Sequence, residues 1–418
     1  MSIAKIKGFS DLFSPESDTF TAIESLARTL FSQYGFTELR TPILEYTELF
    51  ARSIGEETDV VHKEMYTLTT EKGRSYSLRP EATAGVMRAY IEGALYTKMP
   101  VARLFTTGPM FRHERPQKGR LRQFHQINCE CLGSESPYAD ADMITMLMRF
   151  LTSLELGSLE LALNSLGCSE CRPRFKHALT DYLNNLPKDA FCEDCQRRIH
   201  TNPLRVLDCK QEQCQNNLTN APTLADALCP ACKEHFALVC SLLQSQGIHY
   251  VLAPRLVRGL DYYTRTTFEV QSAGIGSQSA IAGGGRYDGL IKALGGPDVP
   301  GIGFACGIER LALLLQNRPS KHPDFFLAVL DEANLPQGFT LLQSLRSHNL
   351  SGTMNFQGQS FKSLLRQADK TQATYCLILG SNEIQDHTIT VKTMSDGTQT
   401  TVAQDALYAH LSAGNNHE

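Results

Sequence analysis

The 418-residue chain contains no stretch approaching the roughly 18 consecutive apolar residues that a bilayer crossing needs, so no membrane association is expected. Its first ten residues, MSIAKIKGFS, carry two lysines without an apolar core behind them, which argues against a secretory leader. A cytoplasmic, reducing location follows as the expectation, and there paired cysteines point to metal or redox chemistry before disulfides. Low-complexity tracts and repeats of solenoid period are missing, which excludes an array. Excess charge is missing as well: 40 Lys plus Arg against 44 Asp plus Glu leave a net −4. A nucleic-acid partner would have to be met by a local basic patch.

At about 150 residues per domain, the length suggests two or three domains with ample core. Residues 18 to 34 place Ile23, Leu26, Leu30, Phe31 and Tyr34 at helical spacing, with Asp18 as N-cap and Gly35 as stop. Segments 101-VARLFTTGPMFR-112, 124-FHQINCECLG-133, 256-LVRGLDYYTRTTFEV-270 and 300-PGIGFACG-307 read as strands interrupted by helices. An α+β fold on a mostly antiparallel sheet is expected. Residues 166–249 shift toward Cys, Asn and Lys/Arg and read as an insertion, dividing a core into 1–165 and 250–320. After a linker at 317–324, residues 324–418 alternate as βαβαββα, with a last helix expected at 402–411. This is a separate small α/β domain.

The densest basic segment is 111-FRHERPQKGRLRQFHQ-126, with Arg112, Arg115, Lys118, Arg120 and Arg122 against Glu114. Pro116 and Gly119 predict a turn, so the arginines sit on a loop that can close over a polyanion. In the strand leaving it, alternation puts Phe124, Gln126, Asn128 and Glu130 on one face and His125, Ile127, Cys129 and Cys131 on the other. Buried polar groups on such a face need partners, which a ligand with ring, amine and carboxylate functions can supply. Segment 78-LRPEATAG-85 gathers Arg79, Glu81 and Thr83 at period-two spacing. Segment 256–270 sets Arg258, Asp261, Tyr262 and Tyr263 beside Gly259. In 280-AIAGGGRYDGL-290, three glycines before Arg286, Tyr287 and Asp288 read as a flexible turn. Finally, 301-GIGFACGIERLALLL-315 runs a strand into a helix with Arg310 in its first turn, where backbone N–H groups favour a phosphate.

In order and spacing these segments resemble the class II aminoacyl-tRNA synthetases, and within them the histidyl-tRNA synthetases of the bacterial type, over essentially the whole chain. The family's three motifs are similar to 35-GFTELRTPILE-45, 111-FRHERPQKGRLRQFHQ-126 and 301-GIGFACGIER-310. The histidine-specific segments are similar to 256-LVRGLDYY-263 and 283-GGGRYDGL-290. The resemblance implies an antiparallel-sheet catalytic core, the insertion, and a C-terminal anticodon-binding domain. It implies a homodimer joined through the first motif, and ATP-dependent ligation of L-histidine to tRNA(His) through a histidyl-adenylate, with Mg²⁺ on the β- and γ-phosphates. The catalytic residues it implies are Arg258 and Arg112, both on the α-phosphate. Phe124 would stack on adenine and Arg310 would hold the γ-phosphate. Histidine would be bound by Glu81, Ala82, Thr83, Arg112, Gln126, Glu130, Arg258, Tyr262, Tyr263 and Tyr287, with Glu130 and Tyr263 reading the imidazole. Ala82 stands where the family usually has Gly, a loss of backbone freedom that should be tolerated.

The insertion pairs its cysteines as Cys168-x2-Cys171, Cys192-x2-Cys195, Cys209-x4-Cys214 and Cys229-x2-Cys232. Four pairs make two sets of four thiolates, suited to structural zinc. The first two pairs, 20 residues apart, match a zinc-ribbon spacing, but the pairing itself stays open. The resemblance brings no zinc with it. It does bring one alternative function, a catalytically silent regulatory subunit of ATP phosphoribosyltransferase. Such proteins typically lack the tRNA-reading tail and erode the ATP arginines, whereas this chain keeps Arg112, Arg258 and Arg310.

Overall fold

The computed structural model describes residues 3–55, 58, 60–209, 211–257, 262–278, 280–315 and 322–414, which fall into two compact units, Met1–Pro319 and Ser320–Glu418. Arg258, Asp261 and most of the 317–324 linker lie outside the described residues.

In the first unit six antiparallel strands stand in the order Ala102–Phe111, Gln123–Leu132, Gly301–Gly307, Ala280–Arg286, Thr264–Gln271 and Glu160–Ser165. Short parallel strands, Thr37–Glu38 and Val251–Leu252, close the two edges. The expected α+β architecture is the one found. One sheet face carries the core: Ile127, Cys129 and Phe304 pack under the helices Glu16–Gln33 and Pro137–Ser153. Phe31 anchors that layer edge-on to Phe105, Phe150 and Phe304, at ring separations of 5.6, 5.4 and 6.1 Å. The first helix starts at Glu16, earlier than the Asp18 cap predicts, because Asp18 accepts a bond from Ser14 Oγ at 2.6 Å instead of capping. Gly35 ends it at φ +76°.

The three glycines expected as a turn lie inside the strand Ala280–Arg286. A Cβ at Gly284 would stand 2.1 Å from the Gly303 carbonyl and 2.8 Å from the Phe268 ring. Glycine here serves close strand packing, not reversal of the chain. Within 166–249, the helices Cys171–Asn184 and Glu193–Thr201 enclose a core that includes Phe175, Leu179, Cys195 and Val206. The helix Pro230–Ser245 returns to the catalytic layer, where Val239 and Leu243 join the Phe31 cluster.

The second unit is a five-stranded sheet. Gly352–Met354, Phe325–Val329 and Tyr375–Leu379 run parallel, and Thr388–Thr393 and Gln399–Ala403 extend it antiparallel. The fifth strand and a short helix, Ser381–Gln385, are additions to the expected βαβαββα order. The strand occupies the start of the helix expected at 402–411, which begins only at Leu407. The β-branched run Thr400, Thr401, Val402 after the Asp396-Gly397 turn outweighs the helical pattern there.

Candidate active site

A cleft opens over the polar face of the strand Gln123–Leu132, and Phe124, Gln126, Asn128 and Glu130 all line it. The neighbouring strand supplies room: a Cβ at Gly303 would lie only 1.8 Å from Glu130 Oε2 and 2.6 Å from the Cys129 carbonyl. Glycine at this position is therefore a condition for Glu130 to reach the cleft.

Glu130 is buried at one end of the cleft. Thr83 Oγ1 donates to its Oε1 at 2.7 Å, and the Tyr287 hydroxyl donates to Oε2. Burial pushes the Glu130 carboxyl up to about 8, the two hydroxyl donors opposing and the charge of Glu81 adding to the rise. Tyr262 completes this end, its ring 4.7 Å from that of Tyr263 and 5.7 Å from that of Tyr287. Glu81 is fixed at the start of the helix Thr83–Glu92, accepting the Thr83 and Ala84 N–H groups at 2.8 Å each. Burial raises its pKa also, against those bonds and the charge of Arg112. Ala82 is buried at φ −97°, ψ −29°, a right-handed conformation open to any L residue, so alanine costs nothing where the family usually has glycine. Gln126 Oε1 and Asn128 Oδ1 are buried acceptors without a hydrogen-bond partner among the described residues, and a ligand can satisfy them.

Cations dominate the other end. Arg112 leaves the strand Ala102–Phe111, donates Nε–H to the Pro80 carbonyl at 2.9 Å and lays its guanidinium 5.4 Å from the Phe124 ring centroid. Glu114 stands between Arg112 and Arg120, at 4.0 and 2.8 Å. Arg310 rises from the helix Ile308–Leu314 and is braced by the carbonyls of Gly119 and Ala280. Burial, then the nearby charge of Arg120, lowers its pKa, the mark of a cation held close to its own kind where an anion would relieve it. Glu309, beside it in the chain, takes the His125 N–H with both oxygens at 2.9 Å and so ties this helix to the strand carrying Phe124.

Of the predicted residues, Glu81, Thr83, Arg112, Phe124, Gln126, Glu130, Tyr262, Tyr263, Tyr287 and Arg310 line one cleft. Ala82, fully buried between Glu81 and Thr83 in the chain, does not line it, and Arg258 is outside the described residues. Two arginines singled out in the sequence turn out to be braces. Arg79 donates to Pro109 O at 2.9 Å and to Thr41 O at 3.1 Å. Arg286 is fully buried on Asp140 at 2.7 Å and Asp288 at 2.8 Å. Glu309 was missed; its only signal is an acid adjoining the Arg310 position at a helix start. Asn128 was placed on the correct face but given no role.

The eight insertion cysteines gather into two groups, Cys168, Cys171, Cys229, Cys232 and Cys192, Cys195, Cys209, Cys214, the sulfurs of each within 4.8 Å of one another. The zinc-ribbon match of the first two pairs fails. The 14-residue helix Cys171–Asn184 leads away from Cys171, a length of about 21 Å, and separates those pairs.

A family model described as histidyl-tRNA synthetase matches residues 8–311, and one described as anticodon binding domain matches 324–413. The histidine--tRNA ligase of Nitratidesulfovibrio vulgaris is 59% identical over 411 residues, 98% of this chain and 99% of that protein. The one from Oleidesulfovibrio alaskensis is 58% identical over 407 residues, 97% and 98% of the two chains. The crystal structure of apo histidyl-tRNA synthetase from S. aureus superposes with a TM-score of 0.81 at 33% identity, covering 98% of this chain and all of that one. With a full-length match in sequence and a cleft built from the family's motifs, the chain belongs to the histidyl-tRNA synthetase family.

Proposed function

We propose that the chain joins L-histidine to tRNA(His) in two steps: the amino-acid carboxylate attacks the α-phosphorus of MgATP, expelling pyrophosphate, and a ribose hydroxyl of the tRNA's terminal adenosine then displaces AMP. The observation that carries this reading is the pairing of a buried Glu130, flanked by Thr83 and Tyr287, with a cluster of arginines at the opposite end of the same cleft. The imidazole donates an N–H to Glu130 while tyrosine hydroxyls serve its other nitrogen. An amino acid without such a donor leaves the buried Glu130 without its ligand partner, the kind of defect that gives discrimination of about 10⁴ to 10⁵. Glu81, Thr83 and Gln126 receive the ammonium end, and Arg112 bridges the carboxylate and the α-phosphate. Phe124 stacks on adenine and Arg310 takes the γ-phosphate.

Chemistry here is positioning and electrostatics, without a covalent enzyme intermediate. Two anions must approach, and charge grows on the phosphate oxygens as they do, so fixed guanidinium groups supply the stabilisation. Arg258 is assigned a second contact to the α-phosphate. Mg²⁺ on the β- and γ-phosphates would supply further neutralisation of charge at this end, where Glu114 and Glu309 also line the cleft.

The regulatory-subunit alternative is disfavoured by full-length relatives named histidine--tRNA ligase and by the anticodon-binding match at 324–413. We assign the protein to the cytoplasm and to a homodimer. The small sheet formed by Leu44–Tyr46, Ser75–Leu78 and Thr67–Thr69 carries the end of the first motif and leaves Leu44, Tyr46 and Leu68 exposed, an apolar surface suited to a second copy. Charging is the direct test: with MgATP and tRNA(His), labelled L-histidine should become acid-precipitable, and failure of pure protein to charge it would reject the synthetase assignment.

A further inference from the structure

We propose that residues 166–249 hold two structural zinc ions, one on Cys168, Cys171, Cys229 and Cys232, the other on Cys192, Cys195, Cys209 and Cys214. The inner group is nested in sequence between the halves of the outer one. Four thiolates at about 2.3 Å from a tetrahedral zinc lie about 3.8 Å from one another. The sulfurs of Cys168 and Cys171 are 3.6 Å apart, those of Cys168 and Cys229 4.0 Å, and those of Cys192 and Cys209 3.9 Å. These separations are far beyond the roughly 2.05 Å of a disulfide. They are also tighter than a cage that must accommodate the irons and sulfides of a cluster between its thiolates.

The surroundings suit bound thiolates. Cys171 Sγ accepts the Cys229 N–H at 3.1 Å, Cys214 Sγ the Cys192 N–H at 3.3 Å, and Cys209 Sγ the Gln211 N–H at 3.5 Å. Such bonds orient and stabilise metal-bound sulfur. Cys192 and Cys229 occupy the N-cap positions of Glu193–Thr201 and Pro230–Ser245, and Cys171 opens its helix, so three of the four pairs meet a helix start, which favours negative sulfur. Gly167 permits the outer group to close: at φ +68° a Cβ there would stand 2.4 Å from Cys171 Cβ. Neither group retains an open coordination position, and neither lines the cleft, so the ions act on architecture. The outer ion staples the entry and exit of the insertion, and the inner one pins Glu193–Thr201 to the chain that follows it.

Metal content of the purified full chain after gel filtration tests the proposal. Two zinc per chain are expected, falling to one in Cys171→Ser, one in Cys214→Ser and none in the double variant. Fewer than one zinc per chain, iron in its place, or loss of both ions from either single variant overturns it. Alkylation of the unmodified protein gives a readout that does not depend on the variants folding. Cys168, Cys192 and Cys229 are partly exposed and should nevertheless resist iodoacetamide until a chelator removes the metal. Equal reactivity with and without chelator contradicts the assignment.

Discussion

Glu130 combines full burial, two hydroxyl donors and the nearby charge of Glu81, and these set a measurable pH dependence. Burial pushes its carboxyl up to about 8 in the folded state, above the ordinary carboxylate value of 4.5 that it regains on unfolding, so the folded state holds the proton more tightly. The resulting stabilisation is complete below the unfolded value and is lost as pH rises through 8. Glu130→Gln, which keeps the shape and cannot titrate, should remove this dependence. The melting temperature of the unmodified protein should fall between pH 5 and 9 relative to the variant, and parallel profiles would contradict a raised carboxyl. The variant should also lose histidine activation. At this scale the sequence was informative where geometry is forced: strict alternation places Phe124, Gln126, Asn128 and Glu130 on one face whatever surrounds them. It was uninformative for Arg79 and Arg286. An arginine donating to carbonyls and one awaiting phosphate are written with the same letter, and the partners, Thr41, Pro109 and Asp140, are remote in the chain.

Among the elements, Asp140 is the junction. On the helix Pro137–Ser153 it meets Arg286 of the strand Ala280–Arg286 at 2.7 Å, and His235 of the helix Pro230–Ser245 at 2.8 Å, with no exposed surface of its own. Breaking a buried ion pair costs about 3–5 kcal/mol when the remaining charge has no other partner, and Arg286 keeps Asp288 at 2.8 Å, so the loss of the Asp140 charge costs only part of that. Asp140→Asn should therefore lower the urea midpoint markedly without altering any residue of the cleft; a shift below about 1 kcal/mol would place the attachment of the returning helix in its apolar contacts instead. Elements followed from the sequence where one signal dominated, as in the first helix and the parallel strands Phe325–Val329 and Tyr375–Leu379. They did not where the reason was a neighbour. Glycine before Arg286 signals a turn locally, and only the approach of Gly303 O and Phe268 makes it a strand. The cysteine pairing was closed to sequence for the same reason, because helix Cys171–Asn184 decides which pairs can meet.

For the molecule as a whole, the near-zero net charge said nothing about RNA, since the cations that matter converge from separate segments, Arg112 and Arg120 from one loop and Arg310 from a helix. The exposed Leu44, Tyr46 and Leu68 carry the dimer proposal: Leu44→Asp with Leu68→Asp should convert the protein to a monomer in sedimentation equilibrium, and an unchanged mass would move the interface elsewhere. The central claim, that one cleft both selects histidine and activates it with ATP, is tested most directly by exchange of labelled pyrophosphate into ATP across a panel of amino acids. The account predicts exchange with L-histidine and none above background with the others. Exchange that is independent of histidine, or absent altogether, would contradict it.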